Sequence, residues 1–214
     1  MITPIGHTKY EIKRKNTDHK EFVWPEPRWT SPNFCDIAAR GFYLFLDLHS
    51  YNGFYVRRFR MRVVLGSDHA GFEMKQRILV RVQELGHQVL DVGTHSSTPS
   101  DYPDNAEALG MAILNNQADR GILICGSGVG ASVAVNKIPG IRAGVCHDCY
   151  SAHQGVEHDN MNVLVMGARI IGIELAYNLV EIYLDAQFSC EERHMRRLAK
   201  LQKLENKFRR NSGQ

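Results

Sequence analysis

One stretch constrains this chain more than any other: RGILICGSGVGASVAVNK, from Arg120 to Lys137. Gly121-Ile122-Leu123-Ile124 is a short unbroken apolar run, the pattern of a strand covered on both faces. It ends at Cys125 and passes directly into Gly126-Ser127-Gly128-Val129-Gly130, after which residues 131–137 read as the first turns of a helix. A strand of this kind belongs to a parallel sheet, and open parallel sheets bind ligands beyond the carboxyl ends of their strands. The stretch therefore sets a thiol at a strand tip beside amide groups that open a helix, a setting that favours an anion.

The chain around it repeats the pattern. From Met61 onward, apolar runs predict strands over residues 62–66, 87–92, 121–125, 141–146 and 163–166. Helical spacing predicts helices over residues 72–85, 106–116, 131–137, 149–157, 170–184 and 191–208. Residues 93–103 read as a loop. Such alternation implies right-handed crossovers and a parallel sheet. The expected fold is α/β: a Rossmann-like three-layer sandwich with a five-stranded parallel sheet. The C-terminal helix projects past the fifth strand, where it is placed to pack on another subunit.

Residues 1–60 differ in kind. They hold twelve of the nineteen Phe, Trp and Tyr residues, and Pro25, Pro27 and Pro32 interrupt any period. Their charge is +4 (ten Lys/Arg against six Asp/Glu), leaving −1 (sixteen against seventeen) from Met61 onward. Glu11, Asp18, Glu21 and Glu26 argue against a transit peptide, which is poor in acids. The segment reads as a poorly ordered extension without assigned function, or as translated sequence upstream of a start at Met61. Residues 61–214 form the expected catalytic domain. Its near-neutral body lacks the basic face of a nucleic-acid binder, and no apolar run approaches a membrane span. Five irregularly spaced cysteines suit reduced thiols in a cytoplasm better than a disulfide framework.

The first strand runs into Gly66-Ser67-Asp68-His69-Ala70-Gly71-Phe72. In a parallel sheet its tip shares an edge with Cys125, so Asp68, His69, Cys125 and Ser127 face one crevice. Taken alone, Asp68 reads equally well as a helix N-cap. His158-Asp159-Asn160 places an imidazole in the loop before the fifth strand, and Arg169 follows that strand at the ligand edge. Arg193 and Arg197, four apart, share a helix face that suits a phosphate, or form a solvated face beside Glu191 and Glu192. Gly126-x-Gly128-x-x-Ala131 also satisfies a dinucleotide fingerprint, with Asp148 as its acid. That reading is weak, because the glycines follow the third strand and a hydride-transfer site needs no thiol there. Cys146-His147-Asp148-Cys149 is a C-x-x-C, read here as two ordinary structural thiols because no second pair lies at metal spacing.

Together these motifs resemble the ribose-5-phosphate isomerase B family, which includes galactose-6-phosphate and allose-6-phosphate isomerases. The resemblance also rests on Asp101-Tyr102-Pro103, Asn136-Lys137, Gly140-Ile141-Arg142-Ala143 and the run from Asn162 to Arg169, and it covers about residues 61–208. It implies interconversion of an aldose phosphate and its ketose through an enediolate, without metal or cofactor. Cys125 would be the base moving a proton between C2 and C1. The amides of Gly126, Ser127, Gly128 and Gly130 would hold the enediolate oxygen, and Asp68 and Ser127 would steer the proton between O1 and O2. His158 would open the furanose ring, and Asp159 would accept sugar hydroxyls where the family usually has Asn. His69, Arg169, Arg193 and Arg197 would bind the phosphate, and Tyr102 would line the pocket. The resemblance further implies a homodimer, or a dimer of dimers, whose sites are shared, with the His158 segment supplied across the dimer. The link before Arg193 is one residue longer than the family pattern. A second branch of the family uses a glutamate in the helix after the strand tip; residues 131–135 hold no acid, so the cysteine branch applies.

Deleting residues 1–60 is expected to leave melting temperature and turnover close to unchanged. Loss of soluble expression, or a large fall in turnover, would show that the segment packs on the catalytic body.

Overall fold

Alternation within single strands divides the core in two. Val63 and Leu65, Ile122 and Ile124, and Leu164 and Met166 enter one cluster of buried side chains, whereas Val64, Leu123 and Cys125, and Val163 and Val165 enter the other. A strand buried on both faces needs a helical layer on each side. The computed structural model describes residues 48–51, 54–57 and 60–209 and supplies those layers. The elements are β1 (Leu48–Tyr51), β2 (Phe54–Arg57), β3 (Arg62–Ser67), α1 (Phe72–Glu84), β4 (Gln88–Asp91) and α2 (Tyr102–Leu114). They continue as β5 (Arg120–Cys125), α3 (Val129–Val135), β6 (Ala143–Val145), α4 (Cys149–Asp159), β7 (Val163–Gly167), α5 (Ile173–Asp185) and α6 (Glu192–Arg209).

The main sheet has the order β4-β3-β5-β7-β6, with every pairing parallel. Helices α1, α4 and α5 cover one face, and α2 and α3 the other. The chain steps outward from β3 to β4, then back across β3 to β5. The order therefore reverses between β3 and β5, the place where open α/β sheets form their crevice. The expected five-stranded three-layer α/β sandwich is the observed one.

Element ends differ from the expectation for local reasons. Helix α2 starts at Tyr102 rather than residue 106, because Pro103 lies in its first turn, where a missing N–H costs nothing. Helix α4 runs on to Asp159 and is ended by Asn160 at φ 48°. His158 is thus in the last helical turn, not in a loop as expected. Strand β6 begins only at Ala143, whose N–H and C=O are both held by the Asn136 amide at 2.9 Å. The chain divides into two units, Met1–Arg60 and Met61–Gln214. Within the first, β1 and β2 form an antiparallel hairpin with Tyr51 opposite Phe54, which the sequence reading did not anticipate. Its signal is Asn52-Gly53, a preferred hairpin pair. The expectation of poor order for residues 1–47 lies outside the described residues.

Two cations, one buried and one half-buried, fasten helices to the sheet. Arg120, half-buried on β5, donates to the carbonyls of Tyr183, Leu184 and Ala186 and so satisfies the C-terminal end of α5. Burial holds its pKa below the usual guanidinium value. Lys75 on α1 is wholly buried, with its ammonium on both Asp91 carboxylate oxygens (2.6 and 2.7 Å) and on the Thr94 carbonyl (2.9 Å). Lys75→Met would leave Asp91 without its ammonium partner, and is expected to cost about 3 kcal/mol in urea unfolding, the scale for one broken partner of a buried pair. Lys75→Met with Asp91→Leu is expected to recover part of that loss.

Candidate active site

The turn after β3 and the turn after β5 meet at the switch point. Cys125 ends β5 and is buried, and the backbone N–H of Gly128 donates to its Sγ at 3.0 Å. That amide is aimed because Gly128 adopts φ +86°, a left-handed conformation that turns the chain into α3. One of the amides expected to hold an enediolate oxygen is therefore engaged by the thiol. Asp68 is 8% exposed, and one carboxylate oxygen accepts the N–H groups of Ala70 (2.9 Å) and Gly71 (3.0 Å). It thus organises the turn into α1, as an N-cap would, and its second oxygen is left for other work.

The other expected residues of this edge gather around that pair. His69 Nδ1 lies against the backbone N (3.2 Å) and O (3.3 Å) of Ser100, so Nε2 is the nitrogen turned elsewhere. Tyr102 lays its ring over Gly130, where an added Cβ would meet ring carbons at 3.1–3.3 Å. Ser127 is exposed, and its Oγ accepts from Val129 N at 3.3 Å. Arg169 donates its backbone N–H to the Gly126 carbonyl (3.0 Å), and its side chain runs past Gly126 at van der Waals distance. Asp68, His69, Tyr102, Cys125, the Gly126–Gly130 turn and Arg169 therefore converge on one edge.

His158, Asp159, Arg193 and Arg197 do not. His158 and Asp159 end α4, just before β7 begins, whereas Arg169 follows the end of β7. At about 3.3 Å per residue, the five residues of β7 separate those ends by roughly 16 Å. Helix α6 lies along this second edge: Glu205 accepts from the N–H of Gly140, before β6, and the His194 ring sits 4.1 Å from that of His158. Arg193 and Arg197 are exposed one helical turn apart, Arg193 paired with Glu191 at 2.7 Å. One chain thus carries two groups of expected site residues at opposite ends of its strands. Sequence reasoning missed His194, which is 1% exposed, holds Ser189 Oγ at 2.8 Å and buttresses His158. Nothing local could have flagged a partner thirty-six residues away.

Two weaker motifs resolve structurally. Asp148 accepts the N–H of Ser151 at 2.8 Å as the N-cap of α4, which holds its carboxyl below the usual range and gives it a structural role. Cys146 and Cys149 are free thiols, and burial, with Asp148 nearby, pushes the Cys146 thiol up to about 11.

Comparison with known proteins places this arrangement. Residues 63–201 match the family model described as Ribose/Galactose Isomerase. The chain belongs to the ribose/galactose isomerase family. It is accordingly an aldose–ketose isomerase, an intramolecular oxidoreductase. It is 43% identical over 146 residues to ribose-5-phosphate isomerase B of Escherichia coli K12, an alignment covering 68% of this chain and 97% of that protein. A solved structure of ribose-5-phosphate isomerase B from Clostridium thermocellum is 40% identical with a TM-score of 0.68, over 69% of this chain and 99% of that one. Galactose-6-phosphate isomerase subunit LacB of Clostridium acetobutylicum is 35% identical over 60% of this chain and 74% of its own.

Cys146→Ala with Cys149→Ala is expected to leave turnover within a few-fold. The Cys146 thiol titrates from its ordinary value of 9.0 up to about 11 on folding, so the native state holds its proton longer than the unfolded chain. Its contribution is complete below pH 9 and is lost as pH rises toward 11. Unfolding titrations from pH 8 to 11 are expected to show a shallower alkaline loss in Cys146→Ala than in the parent.

Proposed function

We propose that this isomerase interconverts ribose 5-phosphate and ribulose 5-phosphate through an enediolate, with Cys125 as base. The observation that carries the reading is the Gly128 N–H on Cys125 Sγ, at a strand tip beside the half-engaged carboxylate of Asp68. A sulfur that receives a backbone donor is stabilised as it gains negative charge. The thiolate takes the proton from C2 of the open-chain aldose, leaving an enediolate whose charge falls on O1. The thiol returns that proton to C1, while the O2 hydroxyl proton passes to O1 by way of Asp68 and Ser127. The amides of Gly126, Ser127 and Gly130 face the developing oxyanion. The net change is a shift of protons and their electron pairs within one molecule, and no cofactor is consumed.

The phosphate and the ring-opening step fall to the residues at the other edge. His158 acts as acid and base on the furanose ring, and Asp159 accepts sugar hydroxyls. Arg193 and Arg197, with His69 and Arg169, bind the phosphate. Because one chain holds these groups at opposite ends of β7, a complete site is assembled from two copies. The working form is then a homodimer, or a dimer of dimers, in which each site joins the Cys125 edge of one chain to the His158 edge of another. Tyr102, exposed beside Gly130, lines the wall between them. The free thiols suit a cytoplasmic setting. The similarity to the galactose-6-phosphate isomerase subunit supports a second reading, a hexose 6-phosphate such as allose or galactose 6-phosphate, which differs in pocket depth alone.

Turnover of ribose 5-phosphate against both hexose phosphates separates the two substrates. Cys125→Ala is expected to abolish deuterium exchange into substrate started from ribulose 5-phosphate, a loss on the order of 10²–10⁴-fold or more. His158→Ala is expected to retain most of that exchange, because ribulose 5-phosphate cannot close to a furanose. The opposite pattern would make His158 the base. Mixing the two inactive variants under exchange conditions is expected to recover ribose 5-phosphate turnover, since a hybrid dimer has one intact site. Failure to recover it would place each site within one chain.

A further inference from the structure

Strand β6 stops short of its neighbour. Its last paired residue is Val145, opposite Val165, whereas β7 continues to Gly167. The N–H of Ala168 bonds to Cys125 O at 2.8 Å, on the β5 side, so alternation along the strand sends the Gly167 N–H toward β6. The ladder has ended there, and the imidazole Nε2 of His147 takes the place of a strand carbonyl, 2.9 Å from Gly167 N. A buried amide needs such a partner.

The tip it holds carries the reactive loop. Gly167 pairs with Cys125 across the sheet, and a Cβ on Gly167 would lie 2.7 Å from Ser127 O, so the loop backbone rests directly on it. From that loop the Gly128 N–H reaches Cys125 Sγ. We infer that His147 is a positioning residue: a neutral imidazole, with its proton on Nδ1, that fixes the tip of β7 and through it the geometry of the Cys125 thiol. A protonated ring presents N–H to N–H and releases the amide. The titratable and charged groups on the elements packed around it are Asp148 and Cys149 at the start of α4, Cys146 after β6, Cys125 on β5 and Arg169 after β7. Its kinetic consequence rests on Cys125 being the base; its structural consequence does not.

The test uses the full chain and two variants. In ¹⁵N-histidine-labelled protein the His147 ring, assigned by its loss in His147→Gln, is expected as the Nδ1–H tautomer; an Nε2–H tautomer overturns the inference. Amide exchange at Gly167 is expected to accelerate at least about tenfold in His147→Leu and to stay near the parent rate in His147→Gln, whose Oε1 accepts without titrating. With ribose 5-phosphate, His147→Leu is expected to lower kcat on the order of ten- to a hundredfold with KM within about threefold. His147→Gln is expected to restore kcat to within a few-fold. Equal loss of kcat in both variants, or unchanged Gly167 exchange in His147→Leu, overturns the assignment. If the parent turns over no sugar phosphate, the substrate reading fails, and the tautomer and the exchange rate still decide the role of His147.

Discussion

A Cβ on Gly167 would sit 2.7 Å from the Ser127 carbonyl oxygen, and one on Gly71 would fall inside the carbonyl of Ile124. Backbone therefore lies on backbone at both sides of the β5 tip, and the placement of Cys125, Asp68 and the glycine turn is fixed by that approach. With no side chain between, the loop after Cys125 has one height above the sheet. Its amides are consequently aimed by main-chain geometry rather than by rotamers that a neighbour could shift. The same closeness lets the Asp68 turn stand beside the thiol, since the Asp68 N–H bonds to Ile124 O at 3.3 Å. Preorganised donors of this sort lose little to reorganisation when charge develops.

Stiffness at the tips depends on the layers beneath. The Lys75–Asp91 pair ties α1 to the end of β4, and Arg120 ties the end of α5 to the start of β5. Lys75 is wholly buried and Arg120 half-buried, and they act on a carboxylate in one case and helix carbonyls in the other. Each is an obligation as much as a fastening, because removing one partner exposes the desolvation cost of the other. Among the described residues, the apolar core provides the bulk of burial, and these pairs fix which helix sits where.

Division of the expected site residues between two edges follows from a parallel sheet. Every strand in such a sheet presents its carboxyl end on one edge, so helix C-termini, including the turn bearing His158, fall on the opposite edge. No rearrangement of side chains within one chain spans β7. Helix α6, with Leu201, Leu204 and Phe208 exposed along it, lies on the edge where the second group of residues stands.

The sequence by itself determined the fold class, because unbroken apolar runs alternating with 3.6-residue periodicity permit few arrangements other than a helix-covered parallel sheet. It also determined the setting of the Cys125 thiol at a strand tip, since Cys125 and the glycines are contiguous and their geometry is local. The pairing of β1 with β2 and the helical setting of His158 also have signals in the sequence, the one in Asn52-Gly53 as a turn pair, the other in Asn160 as a left-handed stop. What tertiary structure alone decided are relations between residues far apart in the chain. His194 beneath His158, His147 under the Gly167 amide, and the separation of Arg193 and Arg197 from Cys125 leave no trace in spacing. Each depends on where one element stops relative to another, and strand ends are set by packing, not by the residues' own preferences.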